Sequence, residues 1–169
     1  MIAKLGLNTS APYHLLLWGL TFGGGFFYSF VASPIAFKEL ERDQFSKLQN
    51  KVFPSFFTGQ AVTPILLSLT APIKLCPFTL GLLSLSGLSG AANLLILLPL
   101  CKGIKEERNK LIADKKHEVI ENGEVKPSEE FTRLSKKFGA YHGVSTLINM
   151  LSIVSLGFYG IVLSRRFIK

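Results

Sequence analysis

Apolar residues in this chain gather in four long blocks, with the charges confined between and beside them. Leu5 to Phe37 (33 residues), Val52 to Ile73 (22), Leu75 to Cys101 (27) and Phe138 to Ser164 (27) contain no Asp, Glu, Lys or Arg. A run of 18 or more uncharged, mostly apolar residues is long enough to cross a bilayer, because about 20 residues at 1.5 Å rise match a hydrocarbon core of about 30 Å. The pattern predicts an all-α membrane protein, a four-helix antiparallel transmembrane bundle forming one transmembrane domain over 1–169, with spans at 12–37, 52–73, 75–101 and 138–164.

Local signals refine each block. Pro12 suits a first helical turn, where its missing N–H costs nothing. The first block is also far longer than the 7–15-residue apolar core of a secretory signal peptide. In the second block Pro64 is the proline placed to kink a helix. Pro72, Lys74 and Pro77 predict a tight turn, so spans two and three should form an antiparallel hairpin. Pro99 is expected in the last turn of span three.

The two polar loops, 38–51 and 102–137, are predicted to be helical. In the first, Leu40, Phe45 and Leu48 oppose Glu41, Arg42, Asp43 and Lys47, which predicts a helix lying on the membrane surface. The second is the charged helical loop between spans three and four, with 10 Lys and Arg and 8 Asp and Glu in 36 residues. Ile104, Leu111, Ile112, Val119 and Ile120 approximate one apolar stripe, and Asn122-Gly123 is read as a helix stop. Ser128 followed by Glu129 and Glu130 predicts a new helix start that runs on into span four.

Composition changes the picture only when mapped. The 169-residue chain is 48% apolar, the share of an ordinary soluble domain, but only 18% charged, with a net charge of +8. In a soluble protein that charge would suggest nucleic acid; here it borders membrane spans, Arg165, Arg166 and Lys169 following the last one directly, and no nucleic-acid partner is expected. The two loops hold 14 Lys and Arg and the terminal side 5, counting Lys4 and Lys74. The positive-inside rule therefore puts both loops in the cytosol and both termini on the opposite side.

Little catalytic or metal chemistry is visible. Cys76 and Cys101 are about 37 Å apart along one helix and cannot pair. His14, His117 and His142 supply no ligand spacing, so neither a metal nor another cofactor is expected. Gly23-Gly24-Gly25 lacks the Lys and Ser or Thr of a phosphate loop and reads as helix-packing material, as do the small-residue pairs Gly19/Gly23, Gly87/Ala91 and Gly139/Gly143.

Strong hydrogen-bonding groups in hydrocarbon are costly unless paired, so the few inside the spans are informative. Gln60, Asn93, Asn149 and Ser29 all lie about 13–15 Å in from the loop side. They are expected to converge as an intramembrane polar cluster, joining helices or lining a cavity for a ligand. His142, one turn into span four beside Lys137, is expected at the cytosolic interface, and His14 at the opposite face.

Four places together resemble the transmembrane protein 205-like family of small four-span proteins. They are Phe45, Gln49, Lys51, Phe53-Pro54 and Phe56; Asn93 with Leu98-Pro99; Glu107-Arg108-Asn109-Lys110; and Phe138, Tyr141-His142-Gly143 and Ser145 through Asn149. The resemblance implies the four-span fold and marks Gln49, Asn93, Arg108, His142 and Asn149 as polar family positions, with Gln49, Arg108 and His142 near the interface. Two histidines of the family pattern are missing, since Arg42-Asp43-Gln44 and Arg108-Asn109 stand in their places. The resulting expectation is a non-enzymatic scaffold, accessory subunit or regulator at an internal membrane, the endoplasmic reticulum first. Membrane lipids and other integral membrane proteins are its partner classes. The alternative is a protein that binds or passes a lipid or small solute through an interior cavity.

Overall fold

The computed structural model describes residues 6–121 and 123–165. The roles expected of Lys4, Asn122, Arg166 and Lys169 lie outside them. Four helices are long and apolar enough to cross a membrane: α1 (Ala11–Glu39), α2 (Arg42–Thr70), α3 (Pro77–Ala113) and α4 (Glu129–Ser164). A hairpin of β1 (Glu118–Glu121) and β2 (Glu124–Pro127) separates the last two. The protein is thus an all-α, multi-pass integral membrane protein.

Each helix begins where the sequence gives it a reason to. Pro12 occupies the first turn of α1 and Pro77 that of α3. Ser128 caps α4, its hydroxyl accepting the Phe131 N–H at 3.3 Å, with Glu129 and Glu130 in the first turn. The tight turn between α2 and α3 occupies residues 71–76, as expected.

The loops differ from their predicted form. Residues 42–51 are not a surface helix: they are the first turns of α2, which runs unbroken through Pro54 and Pro64. Leu40 falls at the break, with extended backbone. Pro99 does not end α3 either. A π-turn at Asn93–Leu97 precedes it, and another at Tyr28–Ala32 precedes Pro34 in α1. A proline ring collides with the carbonyl four residues back, and a wider turn moves that carbonyl aside, so both helices continue.

The helical stripe read through Val119 and Ile120 is also corrected. α3 stops at Ala113 in a Schellman arrangement, with Lys115 at φ 55° and the Lys116 N–H on the Leu111 carbonyl at 2.8 Å. Val119 and Ile120 then pair with Lys126 and Val125 in the hairpin, where Gly123 takes a φ of 81°. β-Branched residues around an Asn-Gly pair favour a hairpin over a helix stop, so the charged loop is helical only at its two ends.

In the bundle α2 packs on α3, α3 on α4, and α1 lies across α2 and α4. Only 6% of the apolar window of α1 is buried, against 33% in α3 and α4, so α1 rides on the outside of the other three. The core is Leu67, Leu83, Leu156, Tyr159 and Leu163. Among the small-residue pairs, Gly19/Gly23 and Gly139/Gly143 face open space, and Gly87 makes ordinary contact with Ala61 and Pro64. A close approach of two helix backbones lies elsewhere. A Cβ on Gly90 would stand 2.6 Å from backbone atoms of Gln60 and Ala61.

Candidate functional site: a polar seam along the last helix

The polar groups of the spans meet along one line of α4. Ser145, Asn149, Ser152 and Tyr159 follow a four-three-seven spacing, the period of a helix edge that keeps facing the same neighbours. Each finds a partner on another helix. Gln60 Nε2 donates to Asn149 Oδ1 at 2.8 Å, and Asn149 Nδ2 donates to Ser29 Oγ at 2.9 Å. Three of the four residues expected to converge therefore do so, tying α1, α2 and α4 together.

Asn93 does not join that group. It is fully buried one turn away, where its Oδ1 accepts the Ser145 hydroxyl at 2.7 Å and its Nδ2 reaches the Ser145 carbonyl at 3.3 Å. Counting residues from a boundary assumes straight helices, and the π-turn that starts at Asn93 absorbs a residue without adding its rise. Further along, Ser86 and Ser152 are hydrogen-bonded at 2.9 Å. At the far end Tyr159 Oη lies 2.7 Å from His14 Nε2, and His14 Nδ1 lies 2.9 Å from Thr70 Oγ1.

That last group fixes its own proton positions. The Thr70 hydroxyl hydrogen goes to the Leu66 carbonyl at 2.7 Å, so its oxygen must accept from His14 Nδ1–H. His14 Nε2 is then the acceptor of the Tyr159 hydroxyl. Trp18 adds a neighbouring tie, its indole N–H on the Leu156 carbonyl at 2.9 Å and its ring over Gly160, where a Cβ would come within 2.1 Å. Phe22 stacks on Trp18 and packs over Gly157.

Trp18, Ser86, Ser152 and Tyr159 were not singled out from the sequence, which placed His14 only at the face opposite His142 and Ser145 only within the family resemblance. The spacing of the polar residues of span four is the signal that could have found that helix's share of them. Nothing in the sequence names partners 52 to 145 positions away.

The interfacial positions behave differently. Gln49 is buried, accepts the Tyr28 hydroxyl and donates to Ser33 Oγ at 2.8 Å, holding α2 to the loop-side end of α1. Lys105 reaches Ser46 Oγ in the same way between α3 and α2. Arg108 lies over two rings of α4, its guanidinium carbon 5.0 Å from the Phe131 centroid and 5.7 Å from that of Phe138. His142 is exposed and stacks on Phe138 at 5.7 Å, with no ion-pair partner among the described residues.

An open groove of about 420 Å³ runs between α2 and α3, lined by Ala61, Val62, Ile65, Leu83, Gly87 and Leu88 among others. It is apolar and lies on the outside of the bundle. Gln60, Asn93 and Asn149 do not line it. Among the described residues no group of three His, Cys, Asp or Glu is placed to hold a metal ion.

The chain is similar to Xanthocillin biosynthesis cluster protein D of Aspergillus fumigatus, 27% identical over 154 residues that cover 90% of this chain and 88% of that one. No solved structure matches it. Residues 16–110, from the first turns of α1 to the loop-side part of α3 that carries Arg108, match the family described as Domain of unknown function (DUF4149), and the chain belongs to that family.

Proposed function

We propose that this membrane protein is non-enzymatic and works as a scaffold, accessory subunit or regulator at an internal membrane, the endoplasmic reticulum. The observation that carries this reading is the use made of the polar groups inside the spans. Gln60, Asn149, Ser29, Asn93, Ser145, Ser86 and Ser152 bond to one another between helices and not to a shared opening. Such bonds contribute about 0.6 kcal/mol each on average, so together they fix how the helices sit against one another. A bundle of fixed shape that leaves one face of α1 uncovered suits a protein that presents a surface to others in the membrane.

The Lys and Arg count supports loops in the cytosol and termini on the opposite side. In that orientation the ends of α3 and α4 and the hairpin between them project into the cytosol. The resemblance to the transmembrane protein 205-like family belongs to the same reading. A relative named for a biosynthetic cluster fits an accessory component that works beside biosynthetic enzymes in the membrane.

The test is purification of the full chain in mild detergent after chemical cross-linking in its own membranes. Stoichiometric integral membrane partners are the expected result. A chain that migrates as a partner-free monomer, and that moves lipid or solute when reconstituted alone in liposomes, would favour the cavity-based alternative and refute this one.

A further inference from the structure

Buried polar side-chain atoms nearly always have a hydrogen-bond partner, and each exception calls for an explanation. Four such atoms lack one among the described residues: Gln60 Oε1, Arg108 Nε, His117 Nδ1 and Ser135 Oγ. The last three belong to one place. Phe131, Ser135 and Phe138 share a face of α4 by their spacing, Arg108 lies over both rings, and the His117 ring stands 5.9 Å from that of Phe131. Arg108 takes part in no ion pair, although five other pairs form among the described residues.

Arg108 Nε and the Ser135 hydroxyl can donate a hydrogen, and His117 Nδ1 donates one when the ring is protonated, the form that pairs its Nε2 with Glu118 at 3.6 Å; none of the three atoms has a hydrogen-bond partner among the described residues. The cation–π contacts of Arg108 are not hydrogen bonds and leave its Nε–H without an acceptor among the described residues. Glu118 engages the other nitrogen of His117 and no carboxylate pairs with Arg108 among the described residues; Arg and hydroxyl donors converging in this way describe a recognition site for an oxyanion, of which phosphate is the best match for a planar guanidinium.

The depth of the cluster indicates where the phosphate comes from. Arg108 is seven residues beyond Cys101, about 10 Å outside the charge-free part of α3, and Ser135 is about 5 Å outside that of α4. A headgroup layer occupies about 5–8 Å on each side of the hydrocarbon. Side chains on a helix lean toward its N-terminus, which for α3 is toward the membrane. Arg108 is only partly buried, so rotation of its long side chain opens a way to the three donors from the membrane surface.

We propose that Arg108, Ser135 and His117 form a phosphate-binding site at the loop-side membrane surface, filled by the phosphate of a lipid headgroup. This stands independently of the scaffold reading. The hairpin helps to hold it, since the Ser128 N–H bonds the His117 carbonyl at 2.8 Å.

The test titrates the delipidated full chain in dodecylmaltoside, which carries no phosphate, with dihexanoylphosphatidic acid, inorganic phosphate or dihexanoylglycerol, followed by native mass spectrometry and calorimetry. One phosphatidic acid should bind per chain, with no saturable binding of the phosphate-free diacylglycerol. R108Q should weaken binding at least tenfold and S135A about fivefold, whereas R133Q, which removes an exposed arginine on the same helix, should change it less than twofold. S135A leaves the aromatic contacts of Arg108 untouched and carries the test if R108Q folds poorly. Inorganic phosphate binding as tightly as the lipid would support the oxyanion site and assign it to free phosphate. The proposal is overturned if neither phosphate-bearing probe saturates, or if R133Q weakens binding as much as S135A.

Discussion

Gly90→Ala is the most direct test of how the bundle is assembled. The new Cβ would lie 2.6 Å from the Ala61 nitrogen and the Gln60 carbonyl carbon, and 2.9 Å from Gln60 Cβ. Two of these neighbours are backbone atoms, so no side chain can swing away, and α2 and α3 must part by about 1 Å to restore ordinary contact. Overpacking of this kind costs about 1–3 kcal/mol. Moving Gln60 also strains its bond to Asn149, which adds roughly 0.6 kcal/mol and no more than about 1.7. Alanine returns about 0.5–1 kcal/mol through its better helix propensity. The expected net loss is therefore about 1–3 kcal/mol, roughly a 5- to 150-fold shift in the folding equilibrium. Unfolding by sodium dodecyl sulfate in mixed micelles would measure it, with the fluorescence of Trp18, the single tryptophan, as reporter. Gly23→Ala is the matched control, because a Cβ there meets nothing within 4 Å, and it should leave stability unchanged or raise it by up to about 1 kcal/mol. Equal unfolding midpoints for the two variants would refute the close approach of α2 and α3.

Asn149→Leu removes the acceptor of Gln60 and the donor to Ser29, leaving the buried Gln60 amide without a partner, and should cost about 1–3 kcal/mol in the same assay. Adding Gln60→Leu should cost less than the sum of the two single changes, whereas strict additivity would show that the bond does not couple them. Cys76 is exposed at the start of α3, and its hydrogen bond with the Thr79 hydroxyl, 3.1 Å away, holds its thiol below the ordinary value. A lower pKa means more thiolate at neutral pH, so a membrane-impermeant maleimide should modify Cys76 faster than an ordinary exposed cysteine, and Thr79→Val should slow the reaction. Modification of Cys76 by that reagent in sealed vesicles with the cytosolic face outward would contradict the orientation with the α2–α3 turn opposite the loops.

The number of spans, their order and the short α2–α3 turn were legible because the bilayer imposes them. A charge-free run of about 20 residues has few alternatives to a membrane-crossing helix, and the positions of Pro12, Pro77 and Ser128 set where three of the helices start. The loops were less legible because they lie in water, where apolar spacing is a weaker constraint. Val119 and Ile120 fit a helical stripe and a strand equally well, and the arrangement around Lys115 that ends α3 decided for the strand. Pro99 was expected in the last turn of span three, yet a π-turn before it lets α3 pass, as another does before Pro34 in α1.

The sequence by itself determined that Gln60, Asn149, Asn93 and Ser29 lie at similar depth in hydrocarbon and therefore require partners, because an unpaired amide there is costly. Which partner each one takes was decided only by the tertiary structure. Asn93 pairs with Ser145 and not with Asn149 because helix rotation and the π-turn set azimuth and height to within one turn, and neither is a property of residue count. The same holds for the buried Arg108, His117 and Ser135 atoms that lack a partner among the described residues, brought to one place from positions 9 to 27 residues apart by the return of α4 along α3. Sequence fixes the chemistry a side chain brings, and packing fixes what that chemistry faces.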